Sequence, residues 1–343
     1  MRHLLNTLYI TSPDRYLSLD GENVVIRSTD EEIGRLPLHN LQAIVTFGYQ
    51  GASPALMGAC VQRNIDLSFL SANGRFLARI SGEVRGNVTL RKQQYRLSEN
   101  DREAIGVARN CIVGKVFNSR WVLERAARDY PMRLDSDKLK GKSSFLAESL
   151  RKIRVCGDAG ELRGLEGEAA AVYFSVFDDL ILQQKELFYF HGRNKRPPLD
   201  RVNAMLSFAY TLLAGMCGAA LETAGLDPYV GFLHTDRPGR MSLALDLMEE
   251  FRSVMADRFV LTLINKRIIG GEGFAQKENG AVIMDEETRK LFLTQWQMKK
   301  QETIKHPFLD EKIEWGMVPY VQAMLLARYI RGDLDEYPPF LWK

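Results

Sequence analysis

The chain has 343 residues, of which 45% are hydrophobic and 26% charged, and its formal net charge is only +3. This is the composition of an ordinary soluble globular protein, long enough for two domains of unequal size. No apolar run approaches the ~20 residues that cross a bilayer, and no secretory leader pattern opens the chain, so we expect no membrane span and a cytoplasmic location. Four scattered cysteines, Cys60, Cys111, Cys156 and Cys217, predict reduced packing residues rather than a zinc site.

Residues 1–85 have the alternating pattern of short β-strands separated by turns. Asp20-Gly21 and Asn73-Gly74 are each placed to turn a hairpin between two apolar runs. A short helix is expected from Pro54 to Gln62, with Pro54 in its first turn. These signals predict a small N-terminal domain built mainly of strands.

After residue 86 apolar residues recur at spacings of three and four, which is the pattern of helices. We therefore predict an α+β protein in which a linker over 86–98 joins the β-rich domain to an all-helical domain over 99–343. Two stretches, 132–142 and 268–280, are expected to be mobile because they are polar or rich in glycine. The predicted helices cover roughly 99–128, 144–153, 161–185, 201–223, 242–262, 286–303 and 318–331.

Glu166 is a candidate site residue because of its helical phase. At 100° per residue it shares a stripe with Ala170, Tyr173 and Phe177, whereas Glu168 points to the opposite, solvated side. A carboxylate on an apolar face is costly unless it is paired, protonated or bound to a cation. A partner arginine in the core, or a place at the rim of the helix, would account for it equally well.

A second acidic segment begins after Ser242. Asp246, Glu249, Glu250 and Asp257 fall within one arc opposite the apolar face, while Arg252 and Arg258 are turned away from that arc. Like charges at these spacings repel by a few tenths of a kcal/mol per pair. A divalent cation would remove the repulsion, and a solvated helix face would tolerate it.

His234 ends the apolar run YVGFL and precedes a turn at Asp236–Arg240 that leads back towards the acidic helix. An imidazole can serve there as a metal ligand, a general acid or a donor to a phosphate. A satisfied packing histidine remains the alternative.

Local positive charge is more suggestive than the total. One basic zone precedes Glu166 and another lies between the two acidic helices, and either would suit phosphate contacts, although solvated surface remains an alternative for both. The first zone contains Lys138, Lys140, Lys142, Arg151, Lys152 and Arg154, and the second, which is the better candidate for DNA, contains Arg193, Lys195, Arg196 and Arg201.

Taken together and in this order, these segments resemble the CRISPR adaptation integrase, the CRISPR-associated endonuclease that is first in its protein series. The resemblance extends over essentially the whole chain and implies an N-terminal β domain joined to an α-helical C-terminal domain. It is carried by RGLEGEAAAVYF, PLDRVNAMLSFAYTLL and DPYVGFLHTDRPGRMSLALDLMEEFR.

The resemblance implies that Glu166, His234 and Glu249 are the catalytic metal ligands, with Mg²⁺ or Mn²⁺ as the cofactor. Asn203 matches a family asparagine expected to be structural or to support the ligands. Many relatives place an aspartate where this chain has Glu249, so the share of the metal taken by Asp246 stays open. With Asn203, Asp246 and Glu250 are the candidates for a supporting role.

The implied activity is phosphoryl transfer on DNA, in which water or a DNA 3′-hydroxyl attacks and short foreign fragments enter a CRISPR array as new spacers. The implied partners are a double-stranded donor fragment, a CRISPR repeat, a second copy of the chain bound partly through the β domain, and a small companion adaptation protein in a heterohexamer. Two alternatives remain from the residues alone. One is a non-enzymatic DNA-binding scaffold, and the other is a metal-dependent hydrolase of RNA or another phosphoester.

Overall fold

A computed structural model of the chain describes residues 7–29, 31–71, 76–80, 82 and 88–343. The strands are β1 (Thr7–Ile10), β2 (Arg15–Asp20), β3 (Asn23–Ser28), β4 (Glu31–Pro37), β5 (Ala43–Phe47), β6 (Asp66–Leu70), β7 (Phe76–Arg79), β8 (Phe274–Gln276), β9 (Val282–Met284), β10 (Thr303–Lys305) and β11 (Lys312–Glu314). The α-helices are α1 (Pro54–Arg63), α2 (Val88–Glu99), α3 (Asp101–Asp129), α4 (Ser136–Val155), α5 (Ala159–Phe174), α6 (Arg201–Thr223), α7 (Ser242–Glu249), α8 (Arg258–Asn265), α9 (Glu286–Gln301) and α10 (Val318–Arg331).

The N-terminal region contains two β-sheets. Strands β2, β3 and β4 form an antiparallel meander, and a four-stranded sheet has the order β1-β5-β6-β7, in which only β7 is antiparallel to its neighbour. Asp20 pairs with Asn23 across a turn in which Gly21 has a φ of +57°, so the hairpin predicted there is confirmed. The hairpin turn predicted at Asn73-Gly74 lies outside the described residues.

Helix α1 packs against both sheets and closes the N-terminal core. Ser53 caps it, since its Oγ accepts a hydrogen bond of 3.2 Å from the amide of Leu56. Leu56 is wholly buried together with Leu17, Ile44 and Leu67 from the strands. The short helix predicted from Pro54 is therefore confirmed.

The chain divides into two compact units. The first comprises Met1–Arg85, Gly273–Ala275 and Ile283–Glu302, and the second comprises Gly86–Glu272, Gln276–Val282 and Thr303–Lys343. Helix α9 thus belongs to the first unit, although the sequence pattern placed it with the C-terminal helices. Phe292 and Trp296 on the apolar face of α9 are fully buried. Such a face predicts that the helix is packed, but it does not indicate against which of the two units.

The second unit is predominantly helical, and the predicted α+β class is confirmed. Three predicted details are wrong. The stretch assigned to a linker forms α2 from Val88, and a two-stranded hairpin of β10 and β11 interrupts the helices. Helix α4 begins at Ser136 rather than near 144, because Asp135 Oδ1 accepts from the amide of Lys138 at 2.9 Å and caps the helix inside a stretch expected to be mobile.

Helix α6 is long and apolar enough to cross a membrane by length and composition, contrary to the sequence expectation that no run approaches that length. Two thirds of this apolar stretch is buried inside the fold. Core helices of soluble proteins have the same property, because a helix surrounded by protein is hydrophobic on all sides. We therefore interpret α6 as the central helix of the second unit.

Candidate active site

Three helices of the second unit bring charged side chains to one point. Helix α3 carries Lys115. It packs against α5, which carries Glu166, and against α7, which carries Glu249. Lys115 stands in the middle of α3 between buried Val113 and Val116. An ammonium group at such a position requires anionic partners.

Lys115 finds two such partners. Its Nζ donates to Glu249 Oε2 at 2.7 Å and also pairs with Glu166 Oε1. The Lys115 side chain is 12% exposed, Glu249 is 6% exposed and Glu166 is 26% exposed, so solvent screens this contact weakly. Glu166 and Glu249, called the carboxylate pair below, therefore converge on a single cation.

Glu249 has a second cationic partner. Arg252 Nη1 lies 2.8 Å from Oε1 and 3.0 Å from Oε2 of Glu249. Burial disfavours the charged form of Glu249, but Arg252 and Lys115 outweigh that cost and lower the pKa of its carboxyl to about 2. Glu249 is consequently an anion at neutral pH, and the expectation that Arg252 turns away from the acids is wrong.

Arg252 follows Glu249 by three residues, a spacing at which the side chains of a regular helix are neighbours, and the sequence interpretation overlooked this pairing. Residues Arg252–Asp257 form a π-helical turn between α7 and α8, so the 100° phase assumed for the whole segment does not hold. Asp257 turns inward, where its Oδ1 accepts from the hydroxyl of Tyr210 at 2.5 Å and burial raises its pKa to about 6. All four acids of this segment, Asp246, Glu249, Glu250 and Asp257, are buried, which rules out a solvated helix face.

Asp246 holds His234 in place. Its Oδ1 lies 2.6 Å from Nδ1 of His234 and accepts from the His234 amide at 3.0 Å, while Oδ2 accepts from the amides of Phe232 and Leu233 at 2.7 and 3.0 Å. With all these donors the Asp246 carboxylate is committed to orienting the histidine loop. The contact at Nδ1 leaves Nε2 of His234 to act as a ligand, which is the usual arrangement of a metal-binding histidine and its carboxylate partner.

Glu250 has a different environment from its neighbour, and the structure gives no support to its predicted role behind the metal ligands. Its carboxyl accepts from the Phe340 amide at 2.6 Å, from Gln322 Nε2 at 3.0 Å and from the hydroxyl of Tyr337. Burial raises its pKa to about 8 despite these three bonds. Because consecutive helical residues point about 100° apart, Glu249 enters the site while Glu250 anchors the C-terminal segment.

A cavity of about 540 Å³ opens beside the carboxylate pair. Besides Lys115 and Glu166, its lining includes three cationic residues, Arg193, Lys195 and Arg252. Burial and the nearby charges of Arg252 and Arg193 lower the pKa of Lys195. Such a concentration of mutually repelling cations favours an anionic ligand in this cavity, which we call the basic cavity.

Asn203 supports the loop that carries these cations. Its Oδ1 accepts from Arg193 Nη1 at 2.6 Å and from the Asn194 amide at 3.1 Å, and its Nδ2 donates to the Gly192 carbonyl at 2.8 Å. Asp200, the cap of α6, accepts from the Asn203 amide at 2.7 Å. Asn203 therefore shapes the wall of the basic cavity, and it makes none of its recorded bonds to the carboxylate pair.

The other basic candidates lie in different settings. Arg201 donates to the carbonyls of Gly271 and Leu187 at 2.9 and 3.2 Å, which gives it a structural role. Lys138 lies on α4, and its Nζ pairs with Asp179 Oδ2 at 2.6 Å. Exposed side chains are found at Lys140 and Arg196, whereas Lys142 is half-buried.

Sequence reasoning overlooked Lys115 as a site residue and misplaced Arg252. A signal for Lys115 was present, because it is the single charged residue in the run CIVGKVF of a helix whose other charges flank that run. Arg252 had a signal as well, because it follows Glu249 by three residues, a spacing at which oppositely charged side chains of a helix are neighbours. The two cations together neutralise the carboxylate pair.

Among the residues that the structure describes, no group of three or more His, Cys, Asp or Glu side chains is arranged as it stands to hold a metal ion. The donor set nevertheless fits one in chemical terms. Two carboxylates already share a cation, and Asp246, which contacts His234 Nδ1, lies three residues before Glu249 on α7. Carboxylate oxygens and one imidazole nitrogen suit Mg²⁺ or Mn²⁺.

Comparisons with known proteins agree with this fold. The family described as CRISPR associated protein Cas1 matches residues 8–298. The CRISPR-associated endonuclease Cas1 1 of Chlorobaculum tepidum is 49% identical over 343 residues, covering 100% of both chains. A family match of this extent and a relative of this identity over the full length establish the family.

Solved structures show the same architecture. A casposase bound to integration product aligns with a TM-score of 0.85 at 22% identity, covering 99% of this chain and 95% of the casposase. A chain of a Cas6-RT-Cas1–Cas2 complex aligns with a TM-score of 0.83 at 21% identity, covering 100% of this chain and 36% of that one. At these identities the likeness shows a shared fold, and together with the sequence relationships it leads to one conclusion. The chain belongs to the Cas1 family of CRISPR-associated endonucleases.

Proposed function

We propose that this chain, a DNA endonuclease and integrase of CRISPR spacer acquisition, performs phosphoryl transfer at Glu166, His234 and Glu249. One observation carries the proposal. Two carboxylates on different helices converge on one cation at the wall of the basic cavity. This supports a cation site beside a proposed phosphate site, which is what metal-assisted attack on a phosphodiester requires.

In this proposal each protein group has a distinct task. Glu166 and Glu249 supply anionic oxygens, His234 supplies Nε2, and Asp246 fixes the imidazole from behind. A bound Mg²⁺ or Mn²⁺ would polarise the scissile phosphate and help to activate water or a DNA 3′-hydroxyl. Because imidazole suits Mn²⁺ better than Mg²⁺, we expect Mn²⁺ to support the faster reaction in vitro.

The basic cavity would hold the DNA backbone next to these groups. Arg193 and Lys195 line it, and Arg193 is already oriented by Asn203 and by Ser207 Oγ at 3.0 Å. An oriented guanidinium loses little freedom when it binds a phosphate. The donor fragment and the CRISPR repeat are the proposed DNA ligands, and the exposed Arg196 and Lys140 are proposed to contact more distant phosphates.

We further propose that two copies of the chain associate with the N-terminal β unit contributing to the contact, and that such dimers join a small companion protein in a heterohexamer. The complex containing Cas1 and Cas2 among the structural relatives supports a companion of this kind. A cytoplasmic location is proposed with it, since DNA integration requires access to the chromosome.

The proposal is tested by Glu166→Gln with Glu168→Gln as its matched control. Both residues lie on α5, but Glu168 is exposed on the opposite side of the helix. Losing one carboxylate ligand should slow Mn²⁺-dependent disintegration of a branched DNA by about 10²-fold or more, whereas Glu168→Gln should leave the rate unchanged. Equal rates for the two variants would remove Glu166 from the site. DNA binding without any metal-dependent activity of the wild type would instead favour the scaffold, and turnover of RNA alone would favour the hydrolase.

The proposed phosphate contact of Lys195 can be tested through the salt dependence of DNA binding. If Lys195 neutralises one phosphate, Lys195→Ala should reduce the slope of log K for DNA binding against log salt by about 1. Fluorescence anisotropy across a salt series measures that slope. Lys312→Ala, which removes an exposed lysine from β11, should leave the slope unchanged, and an unchanged slope for Lys195→Ala would exclude the contact.

A further inference from the structure

Lys115 lies where a metal ion would have to bind. Its Nζ contacts one oxygen of each member of the carboxylate pair, at 2.7 Å in the case of Glu249. A divalent cation bound to the same two carboxylates would stand within a few ångströms of the ammonium group. Two cations so close repel strongly in a site that water screens poorly, so they cannot occupy the pair together.

The ammonium group of Lys115 can move into the basic cavity. Lys115 itself lines the basic cavity, and its four-carbon side chain is flexible enough to turn its terminal nitrogen from the carboxylates into that space. Arg193 and Lys195 line the same cavity and attract an anion to it. A DNA phosphate held there would receive the displaced ammonium group.

We propose that Lys115 exchanges between the carboxylate pair and a DNA phosphate, so that it competes with the metal ion for Glu166 and Glu249 and joins the substrate once the metal has bound. The inference rests on the proposed function, since it takes these carboxylates as metal ligands. The inference makes Lys115 a contact of the reacting phosphate. It also couples the binding of the metal ion to the binding of DNA. The metal releases Lys115 for DNA, and by linkage DNA that captures Lys115 tightens metal binding.

Arg252 does not offer the same exchange. It holds Glu249 through two bonds from one nitrogen, and its guanidinium lies 4.5 Å from the centre of the Tyr210 ring, which restrains it on a second side. Lys115 is held only by the two carboxylates in the recorded contacts of the described residues. Of the two cations, Lys115 is therefore the one that a metal ion displaces.

The test is the affinity of the protein for Mn²⁺, measured by isothermal titration calorimetry without DNA. Lys115→Met removes the competitor and should tighten Mn²⁺ binding about tenfold, which corresponds to the loss of one charge-assisted hydrogen bond. Lys115→Arg keeps the positive charge and should bind Mn²⁺ no more tightly than the wild type. Lys92→Met, on the exposed surface of α2, is the control and should match the wild type.

A second measurement covers the case in which Lys115→Met folds poorly, because Lys115→Arg retains a partner for the carboxylates. Fluorescence anisotropy with a branched DNA should show that Ca²⁺ tightens DNA binding more in the wild type than in either Lys115 variant. If Glu166→Gln abolishes Mn²⁺ binding but Lys115→Met binds no more tightly than the wild type, the exchange is wrong and the metal site stands. If Glu166→Gln binds Mn²⁺ as the wild type does, the proposed metal site and the exchange both fall.

Discussion

Glu249→Gln is expected to lower the rate of metal-dependent strand transfer by about 10³-fold, the largest effect on activity that the site predicts. The substitution keeps the shape of the side chain but removes the charge that Arg252 and Lys115 compensate. It therefore leaves two buried cations with one carboxylate fewer, in addition to removing a proposed metal ligand. Single-turnover rates on a branched DNA at saturating Mn²⁺ measure the effect.

The matched control is Glu148→Gln, since Glu148 also pairs with an arginine three residues ahead, at 2.9 Å, but on an exposed surface. It should retain the wild-type rate. Glu249→Asp should recover much of the lost activity, because it restores the charge on a shorter side chain. A Glu249→Gln variant that is folded and as active as the wild type would show that Glu249 only neutralises Arg252 and Lys115.

Phe340→Ala is expected to lower the free energy of unfolding by about 3–5 kcal/mol, the largest effect on stability among these predictions. The Phe340 ring is wholly buried against Phe251, His306 and Trp315, with ring centroids 5.5–5.9 Å apart. Its amide also donates to Glu250, so a cavity at this point loosens the attachment of the C-terminal segment. Urea unfolding followed by tryptophan fluorescence measures the change.

Phe308→Ala provides the comparison, because Phe308 is 48% exposed and leaves no enclosed cavity when it is truncated. Its effect should stay within about 0.5 kcal/mol. Equal destabilisation by the two substitutions would mean that the C-terminal segment contributes little to the fold.

The sequence pattern predicted which acidic side chains point inward better than it predicted their cationic partners. Helical phase placed Glu166 inward and Glu168 outward on the regular helix α5, and in the structure Glu166 pairs with Lys115 while Glu168 is exposed. The segment beyond Glu249 departs from that rule, because residues Arg252–Asp257 form a π-helical turn. Local periodicity cannot predict such a turn, which depends on packing in the surrounding core.

Contacts between residues far apart in the chain were the second limit on what the sequence could predict. Lys115 meets Glu166 across 51 positions of the chain, and Glu250 meets Phe340 across 90, so neither partner is implied by spacing along a helix. The burial of the acidic arc after Ser242 was misjudged for the same reason. An arc of four acids suits a solvated surface until tertiary structure supplies Lys115, Arg252, Tyr210 and Tyr337 as its partners.

The contrast between Glu249 and Glu250 affects how related sequences should be compared. The two acids are adjacent in the chain, yet one is bound to Lys115 and Arg252 and the other to Gln322, Tyr337 and the Phe340 amide. Substitutions at 249 should therefore co-vary with 115 and 252, and substitutions at 250 with 322 and 337. An alignment shifted by one residue at this point would exchange the residue that pairs with Lys115 and Arg252 for the residue that anchors the C-terminal segment.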